Sequence, residues 1–160
     1  MSEFRIEKRR AEADLTLATG TTVRGCFFLA GSSAGHSGPE RIADLLNAET
    51  GFFPFELTAG GGAHTVLYNR GQVVLVTIVG ETVEAQLDPG YSVATARRVR
   101  IVLSNGRSLE GMVRVYRPTG RDRLSDYARA PELFRYVETA EGTIIVNAEH
   151  IVELRETTEA

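Results

Sequence analysis

The chain has 160 residues, of which 42% are hydrophobic and 24% charged, with a formal net charge of −3. These proportions are ordinary for a globular protein, no apolar run approaches the roughly 18 residues of a membrane span, and the net charge argues against a broadly basic nucleic-acid coat. The single cysteine, Cys26, excludes an internal disulfide framework. Residues 1–10 lack the apolar stretch of a secretory signal, so we expect a cytoplasmic protein that binds no membrane.

Residues 1–79 predict five short strands and one helix. A charged lead-in or short helix at residues 3–12 precedes a strand at 13–17, where apolar residues alternate as in a half-buried strand. Residues 73–76 are continuously apolar, which predicts a strand that is covered on both faces. The other predicted elements are a strand through Gly25, a helix at 39–47, and strands at 52–57 and 66–69.

After a linker at residues 80–96, residues 97–160 predict the same series again. The matched segments occur in the same order in both copies. The difference in residue number between matched positions, called the offset below, falls twice by four residues along the chain, as it would if the first copy carried two longer loops. An ordered series of this kind indicates internal duplication. The matched segments are residues 17–25 with 103–111 (offset 86), 41–45 with 123–127 (offset 82), and 66–69 with 144–147 (offset 78). The sequence therefore predicts an all-β fold made of two five-stranded units, each with a short helix in its long loop.

Six residues that recur in the two copies have predicted structural roles. Gly20 and Gly106 lie in tight turns, where glycine tolerates a positive φ. Glycine within a strand permits a sharp bend or a close backbone approach. Asp44 follows an arginine by three residues, a spacing that permits an ion pair on a helix and favours a packing or capping role. The six residues are Gly20 with Gly106 in the turns, Gly25 with Gly111 in the strands, and Asp44 with Asp126 in the helices.

The two glycine motifs and the segments before the last strands resemble those of Sm and Sm-like RNA-binding proteins, including the bacterial Hfq branch and short bacterial Sm-like proteins. Residues 19–25 and 105–111 are similar to the first Sm motif, and residues 69–74 and 146–151 are similar to the second. The resemblance implies two tandem SH3-like barrels, ring-like oligomers formed through edge strands, and RNA binding at loops. The long loop and its helix depart from the Sm pattern.

Arginines supply the candidate RNA contacts, because an arginine on a tight loop can stack on a base and hydrogen-bond to its edge. Arg70, with Gly71 beside it, is the first candidate, although a solvated arginine beside a turn glycine is the simpler interpretation. Residues 97–135 carry ten arginines and four acidic residues. This excess of positive charge fits an RNA-binding surface, but it also fits an ordinary solvated surface of mixed charge. The candidates in the second copy are Arg107, Arg114, Arg117 and Arg121.

We therefore expect a non-enzymatic interaction or assembly module that binds a protein partner or itself. The aromatic segment 52–55 is either part of that surface or part of the core. RNA binding of the Sm type is the alternative, and PilZ-like binding of a cyclic dinucleotide is a more remote one. No histidine spacing predicts a metal site, no nucleophile cluster predicts catalysis, and no cofactor is expected.

Overall fold

The computed structural model describes residues 8–30, 40–58, 64–79, 94–115 and 124–157, which are mostly β-strand. The first half contains β1 (Lys8–Leu17), β2 (Thr22–Ala30), α1 (Ile42–Ala48), β3 (Phe52–Leu57), β4 (His64–Asn69) and β5 (Val73–Ile78). The second half contains β6 (Thr95–Leu103), β7 (Ser108–Val115), α2 (Leu124–Ala128), β8 (Phe134–Thr139), β9 (Gly142–Asn147) and β10 (Ile151–Glu156). Short 3₁₀ turns at Arg70–Gln72 and Ala148–His150 precede β5 and β10.

The ten strands form one antiparallel sheet in the order β10-β6-β7-β8-β9-β5-β1-β2-β3-β4. Each half has the same internal order, and the halves join where β5 pairs with β9. The prediction of two closed barrels is not confirmed, because β4 does not pair with β5, nor β9 with β10, and the sheet ends at β4 and β10. Closure within the first half is blocked because the two edges of β5 are occupied by β1 and β9.

Strand register repeats between the halves at the offsets that the sequence predicts. Ala13 lies opposite Gly25 on β1 and β2, and Val99 lies opposite Gly111 on β6 and β7, at an offset of 86 in both strands. The pairing of β3 with β4 recurs in β8 with β9, and the pairing of β1 with β5 recurs in β6 with β10. The two halves are therefore equivalent in strand order and in register.

The mid-strand glycines lie where two strands come too close for a side chain. A Cβ atom added to Gly25 would lie 2.1 Å from the carbonyl oxygen of Glu56, and one added to Gly111 would lie 2.5 Å from that of Glu138. Gly20 and Gly106 have φ angles of 91° and 87°, the left-handed region that glycine adopts without steric cost. These four positions fix the turn after the first strand of each half and the close contact of its second strand with its third.

Two hydrophobic cores lie along the sheet, and each contains side chains from both halves. The core of the first half includes Phe134 and Ile145 from the second half. The core of the second half includes Val74 and Leu75 from the first half. The apolar run in β5 is covered on both faces, as predicted, because its side chains contribute to both cores.

The strands that open each half are longer than the sequence predicts. Residues 8–12 belong to β1 and are not a helix or a frayed end, since Arg9 and Arg10 pair with Leu29 and Phe28 of β2. Residues 95–96, predicted as linker, begin β6. Neither segment has the alternating apolar pattern from which the strands were predicted, and residues 8–12 are mostly charged, but backbone pairing extends both hairpins through them. Residues 80–93 of the predicted linker lie outside the described residues, as do residues 31–39 and 116–123, which contain the long loop predicted in each half.

Candidate interaction surface at the sheet edges

The pairing of β5 with β9, which we call the seam, is an antiparallel joint between equivalent halves. Its register places Leu75 opposite Val146, Val76 opposite Ile145, and Thr77 opposite Ile144. Five of these six side chains are apolar and all five are buried. Cross-strand pairs of β-branched and aliphatic residues stabilise such joints.

Two asparagine side chains add polar contacts across the seam. The Asn47 amide, at the end of α1, donates to the Phe134 carbonyl oxygen at 2.9 Å and accepts from the Phe134 backbone N–H at 2.8 Å. Asn147 is fully buried and donates to the Val73 carbonyl oxygen at 2.9 Å, while its own oxygen accepts from the Glu149 N–H. A buried amide such as that of Asn147 is stable only when it is hydrogen-bonded. Asn47 is exposed, but its two hydrogen bonds also hold the two halves in alignment.

A histidine also lies across the seam. The Nε2 atom of His150 lies 2.7 Å from the Gly71 carbonyl oxygen, and its Nδ1 atom lies 2.7 Å from the Ser104 hydroxyl. The ring therefore connects the 3₁₀ turn of the first half to the second half.

The outer edges of β4 and β10, which we call the open edges, have no described strand beside them. The exposed large hydrophobic side chains of the described residues lie on these two strands or, for Phe52, on β3 directly beside β4. They are Phe52, Leu67 and Val152, with 61%, 63% and 69% of their surface exposed. An open strand edge presents unpaired backbone N–H and C=O groups with which another strand can pair.

Each exposed residue is the counterpart of a buried residue that lies on a strand of the seam or, for Phe134, on β8 beside it. Phe52 corresponds to Phe134 at an offset of 82, and Phe134 is 2% exposed. Leu67 corresponds to Ile145, and Val152 to Val74, both at an offset of 78, and both counterparts are 0% exposed. The open edges therefore carry the counterparts of residues that are buried where the two halves meet.

Arg70 lies in the interior, so the simpler expectation of a solvated side chain is wrong. Its side chain is 5% exposed and donates to the carbonyl oxygens of Phe52 at 2.7 Å and Leu45 at 3.1 Å. The guanidinium lies over the ring of Phe53, and the Glu49 carboxylate is 3.7 Å away. Burial lowers the pKa of Arg70, an effect that Glu49 opposes. This geometry ties the 3₁₀ turn to α1 and β3.

The other described RNA-binding candidates lie on the second half and beside Arg70. Arg114 forms an ion pair with Glu138 at 3.0 Å, and Arg107 is exposed at the β6–β7 turn, where its N–H bonds to Asn105. Gly71 offers its carbonyl oxygen to His150. Arg117 and Arg121 lie outside the described residues. RNA binding stays a prediction.

Asp44 caps the helix that precedes β3. Its carboxylate accepts from the Arg41 backbone N–H at 2.8 Å and pairs with the Arg41 guanidinium at 3.0 Å. Arg41 is buried, and its guanidinium also lies over the ring of Tyr136. Asp126 lies in α2, but its side chain is outside the described part of the structure.

Sequence reasoning missed the residues that build the seam and the open edges. In the aromatic segment 52–55, Phe53 and Phe55 are core residues and Phe52 is exposed, so the core role is confirmed for two of the three phenylalanines and the surface role of Phe52 stays a prediction. A comparison of the repeats position by position pairs Phe52 with Phe134 and Leu67 with Ile145. The comparison identifies equivalent positions, but it does not show which residue of each pair is buried.

Within the described ranges, no group of three or more metal-binding side chains occurs, and no helix is long and apolar enough to cross a membrane. Burial raises the pKa of the Cys26 thiol, which is partly covered in β2. Comparisons with protein-family models, with curated proteins and with solved structures gave no match.

Proposed function

We propose that this chain is a non-enzymatic assembly module whose open edges pair with further copies of the same chain. The observation that carries the proposal is the equivalence of the exposed residues Phe52, Leu67 and Val152 to residues that are buried at the seam or directly beside it. In this proposal each half is an Sm-like unit, and β10 of one copy pairs with β4 of the next as β5 pairs with β9. This β10–β4 pairing is called the joint below.

The seam supplies the register of the joint. At the seam, Val76 lies opposite Ile145 and Leu75 lies opposite Val146. Replacing each of these residues by its counterpart at an offset of 78 places Leu154 opposite Leu67 and Glu153 opposite Tyr68 at the joint. Leu67 then enters the second core of the neighbouring chain, as Ile145 enters the first core within the chain. Burying an aliphatic or aromatic side chain contributes about 1.5–3 kcal/mol, so three such residues favour association strongly.

The two open edges differ from each other, and this fixes the kind of assembly. A surface that binds a different surface on an identical copy forms a head-to-tail contact, which closes into a ring or extends into a filament. Each added copy would extend the sheet by its two five-stranded halves. Every copy with a neighbour on both sides would use both its β4 edge and its β10 edge. A two-fold symmetric dimer that pairs β4 with β4 does not satisfy this arrangement.

Replacing either edge hydrophobe by lysine is expected to prevent assembly. Leu67→Lys and Val152→Lys would each place an ammonium group at the joint, and each should weaken association by at least about tenfold, the equivalent of about 1.4 kcal/mol. Light scattering coupled to size-exclusion chromatography, over a range of protein concentrations, measures the change in mass.

Ser108→Lys is the matched control, because Ser108 is exposed on β7 and lies away from both open edges. It should assemble as the unmodified chain does. An unmodified chain that stays monomeric at millimolar concentration would contradict the proposal, and so would lysine variants that assemble normally.

A further inference from the structure

We infer that an ion pair between Arg129 of one chain and Glu49 of the next determines how the joint is aligned. The inference rests on the proposed function, and it names a contact that the seam itself does not contain. The contact follows if the joint has the geometry of the seam, because that geometry places Arg129 of one chain beside Glu49 of the next.

At the seam, the end of α1 lies against the segment that leads into β8. Asn47 makes two hydrogen bonds to the Phe134 backbone, and it borders a cleft together with the segment 131–133. The side chain at position 47 therefore approaches the three residues that precede Phe134.

At the joint, the same geometry brings different residues together. The counterpart of Asn47 at an offset of 82 is Arg129, whose N–H bonds to the Ser125 carbonyl oxygen and extends the last turn of α2. The counterpart of Pro131 is Glu49, and that of Phe134 is Phe52. An amide beside a proline at the seam is thus replaced by a guanidinium beside a carboxylate.

Both side chains are placed to make this contact. The Glu49 side chain is 71% exposed in the single chain, and its distance of 3.7 Å to the Arg70 guanidinium is long for a charge-assisted hydrogen bond. Arg129 is exposed. Opposite charges across an interface suppress wrong pairings and fix register more than they raise affinity. The pair would direct α2 of one chain to β3 of the next.

Charge reversal tests the pair by loss and recovery of assembly. Arg129→Glu and Glu49→Arg alone each place like charges at the joint, and each should weaken assembly by at least about tenfold. The chain with both substitutions should recover it. A mixture of the two single variants should also assemble in strict alternation, as a filament or as a ring with an even number of copies, because every joint then carries one positive and one negative residue.

Light scattering on the intact chain measures these masses, and circular dichroism checks the fold of each variant. Arg107→Glu is the control, since Arg107 is exposed and is not among the residues that the joint brings together, and it should leave the mass unchanged. If Glu49→Arg does not fold, adding Glu49→Gln to Arg129→Glu should recover part of the assembly by removing the repulsion.

The outcomes separate this inference from the proposed function. If the unmodified chain does not assemble, the proposed function fails and the inference fails with it. If the unmodified chain assembles but the single variants match it in mass, only the Arg129–Glu49 pair is overturned. The same holds if neither the double variant nor the mixture recovers assembly.

Discussion

Gly25→Ala is expected to destabilise the chain by about 3 kcal/mol, the upper end of the range for overpacking a well-packed interior. The added Cβ would lie 2.1 Å from the Glu56 carbonyl oxygen and 2.6 Å from the Phe55 ring. The backbone of β3 cannot retreat without disturbing Phe55, which is fully buried. Urea denaturation followed by circular dichroism measures the change in the free energy of unfolding.

Gly71→Ala is the matched control for this substitution. A Cβ atom at Gly71 would make an ordinary contact, 3.5 Å from the Asn69 side-chain oxygen, and the change should stay within about 0.5 kcal/mol, as for a surface substitution. Equal effects of the two substitutions would contradict the close approach of β2 and β3.

Phe134→Ala is expected to cost about 3–5 kcal/mol, the range for removing a fully buried phenylalanine. Phe134 lies in the core of the first half although it belongs to the second. Its loss would therefore weaken the seam as well as the core. Thermal and urea unfolding, at concentrations where the chain is monomeric, measure this effect.

Phe52→Ala makes the same chemical change at the equivalent position on an open edge. Because Phe52 is 61% exposed, the stability of the monomer should change by less than about 0.5 kcal/mol, while assembly measured by light scattering should weaken. An equal loss of stability in the monomeric Phe134→Ala and Phe52→Ala variants would contradict the claim that Phe134 is buried in the single chain and Phe52 is not.

The duplication could be predicted in detail from the sequence, because matched glycines and asparagines recur at equivalent places. The predicted close approach occurs at both Gly25 and Gly111. The residues that they approach, Glu56 and Glu138, are themselves equivalent positions at an offset of 82. The Asn69 and Asn147 side chains both accept from the N–H two residues later, as turn-capping asparagines do.

The relation between the halves could not be predicted from the same pattern. The apolar run in β5 indicates that both faces are covered, but it does not identify β9 as the neighbour. Strand pairing uses backbone groups that every residue except proline carries in full, and the apolar pattern of one strand does not by itself identify its partner. The buried position of Arg70 is likewise invisible in the sequence, since it depends on how the 3₁₀ turn directs the side chain towards α1 and β3.

Disulfide trapping across the joint tests the central claim most directly. With Cys26→Ala to remove the native thiol, Leu67→Cys and Leu154→Cys together would place two thiols opposite each other on neighbouring chains. Opposed residues in an antiparallel pair have Cα atoms about 4.5–5.5 Å apart, within the range that a disulfide spans. The slipped pair Val66→Cys and Leu154→Cys is the control, because a shift of one residue points the two side chains to opposite faces. Mild oxidation of the aligned pair should give a ladder of covalent multimers on a non-reducing gel. Monomers alone, or an equal ladder from the slipped pair, would contradict pairing of β10 with β4 in the register of the seam.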